Sequence, residues 1–138
     1  MSQLDAYLFF DGNCAEAMRF YERTLGGKLE AMMTHGDSPM AEQSPPGSAD
    51  LIMHARLALD GHVLMASDGM PGQRQERKGF SLSLTYPTAA EANKKFEALG
   101  AGGKVTMPFD KTFWAEGFGM LVDRFGTPWM VSGGTAEP

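Results

Sequence analysis

The sequence predicts an α+β fold in which two β-α-β-β-β modules each curl a small mixed sheet around one helix, leaving a cleft between the sheets. The main observation is a duplicated strand–helix–stop pattern, which organises the chain in two halves. The first copy reads YLFFDGNCAEAMRFYERTLGG at 7–27, and a looser copy reads FSLSLTYPTAAEANKKFEALGAGG at 80–103. A second observation is Asp-Gly at 60–61 between alternating apolar runs, a pattern that predicts a β-hairpin.

The first module is predicted at about residues 4–68. Asn13, with Glu16 three residues later, has the pattern of a capping box that begins a helix. Gly26-Gly27 is typical of a left-handed helix stop. Short apolar and aromatic runs predict the strands, at Leu4–Phe10, Lys28–Thr34, Leu51–Leu59 and His62–Asp68. The segment 35–50 has three prolines, two glycines and no periodicity, so we expect a surface loop long enough to act as a lid.

The second module is predicted at about residues 79–132, after a linker at 69–78. Thr88 and Glu91 form a second capping box, and the helix is predicted to end near Gly100. The strands are predicted at Phe80–Tyr86, Lys104–Met107, Phe118–Val122 and Thr127–Val131. We expect a loop at 111–116 and a frayed tail at 133–138.

Strand alternation assigns the side chains to two faces of each sheet. Opposed residues of a hairpin share a face, and the predicted pairs are Leu59 with His62, Arg56 with Met65 and His54 with Ser67. The face predicted to pack on a helix holds Leu51, Ala55, Leu57, Leu59, Leu64 and Ala66, with Leu8 and Phe10 from the first strand. The face predicted to line the cleft holds Ile52, His54, Arg56, Met65 and Ser67, with Asp5, Tyr7 and Phe9. In the second module we expect Phe80, Leu82 and Leu84 to pack, and Ser81 and Ser83 to face the cleft.

Composition limits the classes of partner. The net charge of −5 argues against nucleic acid, whose phosphates attract clustered Lys and Arg. No window approaches the ~20 apolar residues that span a bilayer, so no membrane partner is expected. Cys14 is the only cysteine and cannot form an internal disulfide. We therefore expect a cytoplasmic location.

Six stretches carry a resemblance to a known family: YLFFDGN at 7–13, AMRFY at 17–21, IMHARL at 52–57, LMASD at 64–68, GGKVTMP at 102–108 and FWAEGFGMLVDRFGTPWMV at 113–131. With the paired modules, they resemble the vicinal oxygen chelate superfamily, which has the glyoxalase/bleomycin-resistance fold and includes dioxygenases. The PhnB-like branch is the most similar. The resemblance implies that two chains pair as a homodimer and that each cleft takes a small molecule.

The same resemblance implies a divalent metal held by His or Glu from the first and last strands of each module. Those positions fall near Asp5, Met65, Gly79 and Met130 here. Thioethers and a glycine are poor ligands for a hard or borderline cation. We therefore expect no metal cofactor, and glyoxalase-type isomerisation is not inherited from the fold.

His54 is the leading candidate for a functional side chain, with Arg56 two residues later on the same predicted face. The pair could provide acid–base chemistry or orient an anionic ligand. The alternative is a buried histidine bonded to Ser67 or to backbone. Asp5 with His54 would make a minimal metal site, although two ligands rarely suffice.

Other residues complete the predicted site. Trp114 and Glu116 could close over a ligand, or Trp114 could anchor a dimer contact. Tyr7, Met65 and Met130 could line an adaptable apolar pocket. Asp68 and Asp123 are interpreted as turn residues. Cys14 is interpreted as an ordinary helix cysteine, and Trp129 as a core residue.

Three hypotheses follow for function. The first is a homodimer that binds a small anionic or carbonyl-bearing ligand in a metal-free cleft through His54, Arg56, Tyr7, Met65, Ser67, Trp114 and Met130. The second is a metal-dependent lyase, isomerase or dioxygenase-type enzyme with an atypical site around His54. The third is a structural dimer whose cleft is filled by its own side chains.

Overall fold

The computed structural model describes residues 2–70 and 76–135, and the chain divides into two compact units, Met1–Gln75 and Glu76–Pro138. Within the described ranges, each unit contains one α-helix and a four-stranded mixed sheet in the order β-α-β-β-β. This confirms the predicted fold class. Of the predicted linker at 69–78, residues 71–75 lie outside the described part of the chain.

The first unit is built from a parallel strand pair and a hairpin. Its elements are β1 (Ala6–Phe10), α1 (Cys14–Leu25), β2 (Lys28–Thr34), β3 (Ile52–Leu59) and β4 (His62–Asp68). The strand order is β1-β4-β3-β2, with β1 parallel to β4 and the other neighbours antiparallel. Helix α1 packs on β2, β3 and β4.

The second unit repeats this topology. Its elements are β5 (Leu82–Tyr86), α2 (Ala89–Gly100), β6 (Lys104–Asp110), β7 (Ala115–Val122) and β8 (Pro128–Thr135). The strand order is β5-β8-β7-β6, with β5 parallel to β8. Helix α2 packs mainly on β7 and β8.

Helix α1 buries the predicted apolar face, but its first turn is capped differently from the prediction. Asn13 makes no side-chain cap bond, so the predicted capping box is wrong. Instead, Asp68 Oδ1 accepts the backbone N–H groups of Gly12 at 2.9 Å and Cys14 at 3.0 Å. A carboxylate at this position satisfies free N–H groups and complements the positive end of the helix dipole. Gly26 ends the helix with φ 81°, as predicted.

Helix α2 begins as the sequence predicts and packs very close to its sheet. Thr88 Oγ1 accepts the N–H of Glu91 at 3.2 Å. Ala92, Phe96 and Leu99 are the buried residues of the helix. At Gly133 of β8, an added Cβ would lie 2.2 Å from the Thr88 carbonyl oxygen and 2.6 Å from Ala92 Cβ. The close approach of helix and strand therefore requires glycine at this position.

The predicted hairpin register is confirmed at the pairs Leu59–His62 and Arg56–Met65. The face towards α1 buries Leu8, Phe10, Ala55, Leu57 and Ala66, as predicted. Four residues differ: Leu51, Leu59 and Leu64 are only half-buried, and Ile52, assigned to the other face, is 4% exposed. Ile52 begins β3, where its N–H donates to buried Asp68 Oδ2 at 2.8 Å, and this contact holds it in the interior.

Several predicted boundaries are corrected. β1 begins at Ala6, and Leu4 is 98% exposed. Phe80 precedes β5 and is 44% exposed, so its predicted core packing is wrong. β7 begins inside the predicted 111–116 loop because Ala115 pairs with Thr135. The same pairing keeps 133–135 in β8 rather than in a frayed tail, whereas 136–138 lie outside the described residues.

The segment 35–50 is more ordered than a featureless loop. The N–H groups of His35 and Gly36 donate to the carbonyls of Leu51 and Ala49, both at 2.9 Å, and continue the β2–β3 pairing. A single 3₁₀ turn spans Ala41–Gln43. No helix among the described residues is long and apolar enough to cross a membrane.

Candidate functional site

The candidate site lies on the face of the first sheet opposite α1, which we call the open face. Register defines it because side chains of directly paired residues share a face. One row across the strands is Tyr7, Met65, Arg56 and Ala31, and adjacent pairs are Phe9 with Ser67 and His54 with Met33. Five of the seven sequence-predicted site residues therefore lie in one unit and on one face.

Tyr7 and His54 are in contact on the open face. The Tyr7 hydroxyl lies 3.5 Å from His54 Nδ1, and the ring centroids are 6.0 Å apart. The distance is at the long end for a hydrogen bond. When the hydroxyl donates to Nδ1, the neutral imidazole carries its proton on Nε2, which then can donate to a ligand. The contact thus pairs Nδ1 of His54 with Tyr7 and leaves Nε2 as the ring nitrogen for a ligand.

Arg56 is paired with a residue that the sequence analysis missed. Its Nε donates to Glu30 Oε1 at 3.0 Å, and the two side chains are 41% and 44% exposed. Glu30 has no register partner, because the pairing passes from Leu29–Leu57 directly to Ala31–Arg56. A β-bulge of this kind redirects a side chain. No sequence signal marks the bulge, so Glu30 could not have been found beforehand.

Met65 and Ser67 complete this face. Met65 is half-buried between Tyr7 and Arg56, and Ser67 is 7% exposed. His54 is half-buried, and among the described residues no hydrogen bond joins it to Ser67. The alternative of a buried histidine bonded to Ser67 or to backbone is therefore wrong, because among the described residues the ring of half-buried His54 contacts Tyr7 instead. The face combines a ring donor, a guanidinium and a soft apolar surface.

The two remaining predicted site residues, Trp114 and Met130, belong to the second unit. Met130 pairs with Ser83 and Met120 in the second sheet. Trp114 is 49% exposed, and its ring lies 5.3 Å from Phe118 and 4.8 Å from Phe113, centroid to centroid. Phe113 and Trp114 thus form an exposed aromatic pair just before β7, in contact with buried Phe118.

The four positions at which the family resemblance implies metal ligands do not carry suitable ligand side chains. Asp5 Oδ2 accepts from Gln3 Nε2 at 2.6 Å, Met65 and Met130 offer thioethers, and Gly79 has no side chain. Within residues 2–70 and 76–135, no three His, Cys, Asp or Glu side chains cluster closely enough to hold a metal. Hard and borderline cations need oxygen, imidazole or thiolate donors. The donor set does not fit the family's divalent metal.

Cys14 is an inert thiol. It is fully buried at the start of α1. Burial, with a smaller contribution from the nearby Asp68 carboxylate, raises the pKa of the thiol from 9.0 to about 12. Because the thiolate is the nucleophile, the interpretation of Cys14 as a structural residue is supported.

Asp123 and Trp129 form a structural pair in the second unit. Asp123 Oδ1 accepts the N–H groups of Phe125 and Thr127, and Oδ2 accepts Trp129 Nε1 at 2.8 Å. The predicted turn role of Asp123 and core role of Trp129 are thereby confirmed.

Duplicated β-α-β-β-β units with this strand order define a class of protein. The chain belongs to the Glyoxalase/Bleomycin resistance protein/Dioxygenase superfamily, whose family model matches residues 3–131. The predicted superfamily is confirmed. Members of this fold family are commonly dimers and bind small molecules.

Three individual proteins show the similarity in more detail. Protein YjdN from Escherichia coli strain K12 is 39% identical over 137 residues, which cover 94% of this chain and 93% of YjdN. The crystal structure of protein PA1353 from Pseudomonas aeruginosa has a TM-score of 0.90 at 48% identity, covering 97% and 98% of the two chains. The PhnB protein from Bacillus cereus has a TM-score of 0.79 at 24% identity, covering 96% and 99%, and shares the fold.

Proposed function

We propose that this protein binds a small anionic or carbonyl-bearing organic molecule on the open face of its first sheet, without a metal. The observation that carries the proposal is the Tyr7–His54 contact beside the guanidinium of Arg56. A ring N–H on His54 suits a carbonyl or carboxylate oxygen, and a guanidinium suits an anion. Met65 and Phe9 provide apolar surface for the rest of the molecule.

The ligand class follows from what each group can donate. The His54 ring and the Arg56 guanidinium supply N–H donors on this face, so the complementary ligand is rich in acceptors. Ser67 is 7% exposed and contributes little surface. Trp114 and Met130 belong to the second unit, and their part in binding a ligand stays a prediction from the sequence. Binding and sequestering such a molecule requires no catalytic residues.

A binding panel tests this proposal. The panel contains 2-oxo acids, including phenylpyruvate, together with aromatic carboxylates, phosphate monoesters and their neutral esters. We expect at least one anion to raise the melting temperature and to titrate by calorimetry, because a ligand that binds only the folded state stabilises it. His54→Ala and Arg56→Gln should lose the effect.

Matched controls separate a local loss from general damage. His62→Ala removes an exposed imidazole at the end of the same hairpin, and Arg19→Gln removes an exposed charge on α1. Both should bind as the wild type does. Failure of the whole panel on the wild type would overturn the proposal. Stoichiometric metal in protein purified without chelator would favour the metal-dependent enzyme instead.

We propose further that two copies of the chain form a homodimer. Exposed apolar side chains in both units support this: Phe9 is 60%, Val105 47%, Met107 45% and Phe113 86% exposed. Large apolar side chains exposed in this way support the proposal, because exposed apolar patches mark interaction sites. Light scattering should give twice the chain mass of 14.9 kDa, and Phe113→Asp should shift the mass towards the monomer. A monomeric mass for the wild type at assay concentrations would contradict the dimer.

A further inference from the structure

The ion pair between Arg56 and Glu30 lies on the proposed binding face. Nε of Arg56 is engaged by Glu30 Oε1, whereas the neighbours of Arg56 in the sheet, Met65 and Ala31, are uncharged. Within the described residues, Glu30 is the only carboxylate paired with this guanidinium. An anion that uses Nε of Arg56 must therefore share or replace this carboxylate.

Glu30 is positioned for this role by backbone geometry. The bulge at Glu30 places an extra residue between Leu29, opposite Leu57, and Ala31, opposite Arg56. Leu57 is fully buried towards α1, whereas Arg56 is on the open face. A regular strand would not need this extra residue, and the bulge turns its carboxylate towards Arg56.

We infer that Glu30 is a displaceable internal counter-ion that determines which anions the open face accepts. This inference rests on the proposed function, because it names a specificity-determining residue of the same site. With no ligand bound, the carboxylate of Glu30 neutralises Arg56. A ligand anion competes with that carboxylate for the edge formed by Nε and one Nη of Arg56, which fits the two oxygens of a carboxylate or phosphate.

The solvent exposure of both side chains allows the Arg56–Glu30 ion pair to open. Both side chains are more than two-fifths exposed, and exposed ion pairs contribute little net stability. Anions that bind in a bidentate manner gain more from a guanidinium than anions that make a single contact. The carboxylate of Glu30 thus lowers the affinity for monodentate anions more than the affinity for bidentate ones.

The test compares one anion with its neutral ester. Phenylpyruvate and methyl phenylpyruvate are titrated by NMR into the wild type, Glu30→Gln, Arg56→Gln and the double variant at low salt. Glu30→Gln should tighten phenylpyruvate binding by about 2–5-fold, the range expected for an exposed charge pair. The ester should bind Glu30→Gln as it binds the wild type. In the Arg56→Gln background, Glu30→Gln should give no such gain.

A control and a second readout keep the outcomes distinct. Glu16→Gln removes an equal charge from an exposed position on α1, which packs on the other face of the sheet, and should leave both affinities unchanged. The chemical shift of Arg56 Nε–H should change when Glu30 is replaced by Gln. In the wild type, it should also change on saturation with phenylpyruvate.

The two proposals fail differently. If phenylpyruvate binds the wild type and Glu30→Gln equally well, and the Nε–H resonance does not respond to phenylpyruvate, the counter-ion role is overturned while the proposed binding function stands. If phenylpyruvate binds none of the variants while the ester and the other panel members also fail, both proposals are overturned.

Discussion

The carboxylate of Asp68 caps helix α1 by accepting the backbone N–H of Cys14 at 3.0 Å, although 54 residues separate the two in the chain. The same carboxylate also accepts the N–H groups of Gly12 and Ile52. Asp68 is 4% exposed. One side chain therefore joins the end of β4 to the start of α1 and the start of β3.

Asp68→Ala should strongly destabilise the first unit, because it leaves three backbone N–H groups without their acceptor. The expected loss is about 3 kcal/mol or more, since hydrogen bonds to charged groups contribute ~1.5–3 kcal/mol each and are not fully additive. Cys14 is the only cysteine, so the urea dependence of its thiol labelling reports unfolding of this unit. Asp50→Asn at an exposed site is the control; equal midpoints for the two variants would contradict the capping role.

The thiol of Cys14 should make stability depend on pH in the alkaline range. Its pKa rises from 9.0 to about 12 on folding, so the folded state holds a proton that the unfolded state releases. The contribution is fully present below pH 9 and is lost as pH rises from 9 towards 12, at about 1.4 kcal/mol per pH unit. Cys14→Ala should remove this part of the pH dependence, measured as the difference between the two urea-unfolding profiles. Parallel profiles would show that the thiol titrates normally in the folded protein.

Gly133→Ala should destabilise the second unit by steric overlap with helix α2. A Cβ there would lie 2.2 Å from the Thr88 carbonyl oxygen, which belongs to backbone and cannot rotate away. Overpacking of this kind costs typically ~1–3 kcal/mol or more. Gly100→Ala, whose Cβ would meet Leu121 at an ordinary 3.5 Å, is the matched control. Both tryptophans lie in this unit, so fluorescence-detected unfolding reports it, and a stable Gly133→Ala would refute the close packing.

Trp129→Phe should cost about 1–3 kcal/mol, because it removes the N–H donor from the buried Asp123 carboxylate. The remaining Trp114 is 49% exposed, so its emission should be red-shifted and readily quenched by iodide. Trp114→Phe is the complementary variant, and it should retain blue-shifted emission and near wild-type stability. The prediction fails if the two variants unfold at the same urea concentration.

Local patterns in the sequence were sufficient for the framework of each unit. The hairpin at 60–61 was predictable because a type I′ turn needs positive φ at both central residues. Asp60 and Gly61 adopt φ 47° and 82°. The helix stop at Gly26 and the cap at Thr88 are equally local. Alternation then placed His54, Arg56 and Met65 correctly, because the turn determines the register.

Features that depend on distant pairing were not predictable. The cap on α1 comes from Asp68 rather than Asn13, and no spacing rule connects an aspartate at a strand end to a helix so far away in sequence. The bulge that presents Glu30 arises from how β2 meets β3. The extra length of β8 depends on pairing between Ala115 and Thr135. Each requires knowledge of tertiary neighbours.

The parallel pairing of β1 with β4 also has a consequence for synthesis on the ribosome. The first strand of the nascent chain can find its neighbour only after β4 has emerged, since Gly12 bonds to a residue 56 positions later. Until then, β1, which carries Tyr7 and Phe9, has no strand partner. Its backbone N–H and C=O groups can therefore pair with other chains. Slowing translation before β4 has left the ribosome should therefore increase capture of the chain by chaperones, whereas a pause after the whole first unit has emerged should not.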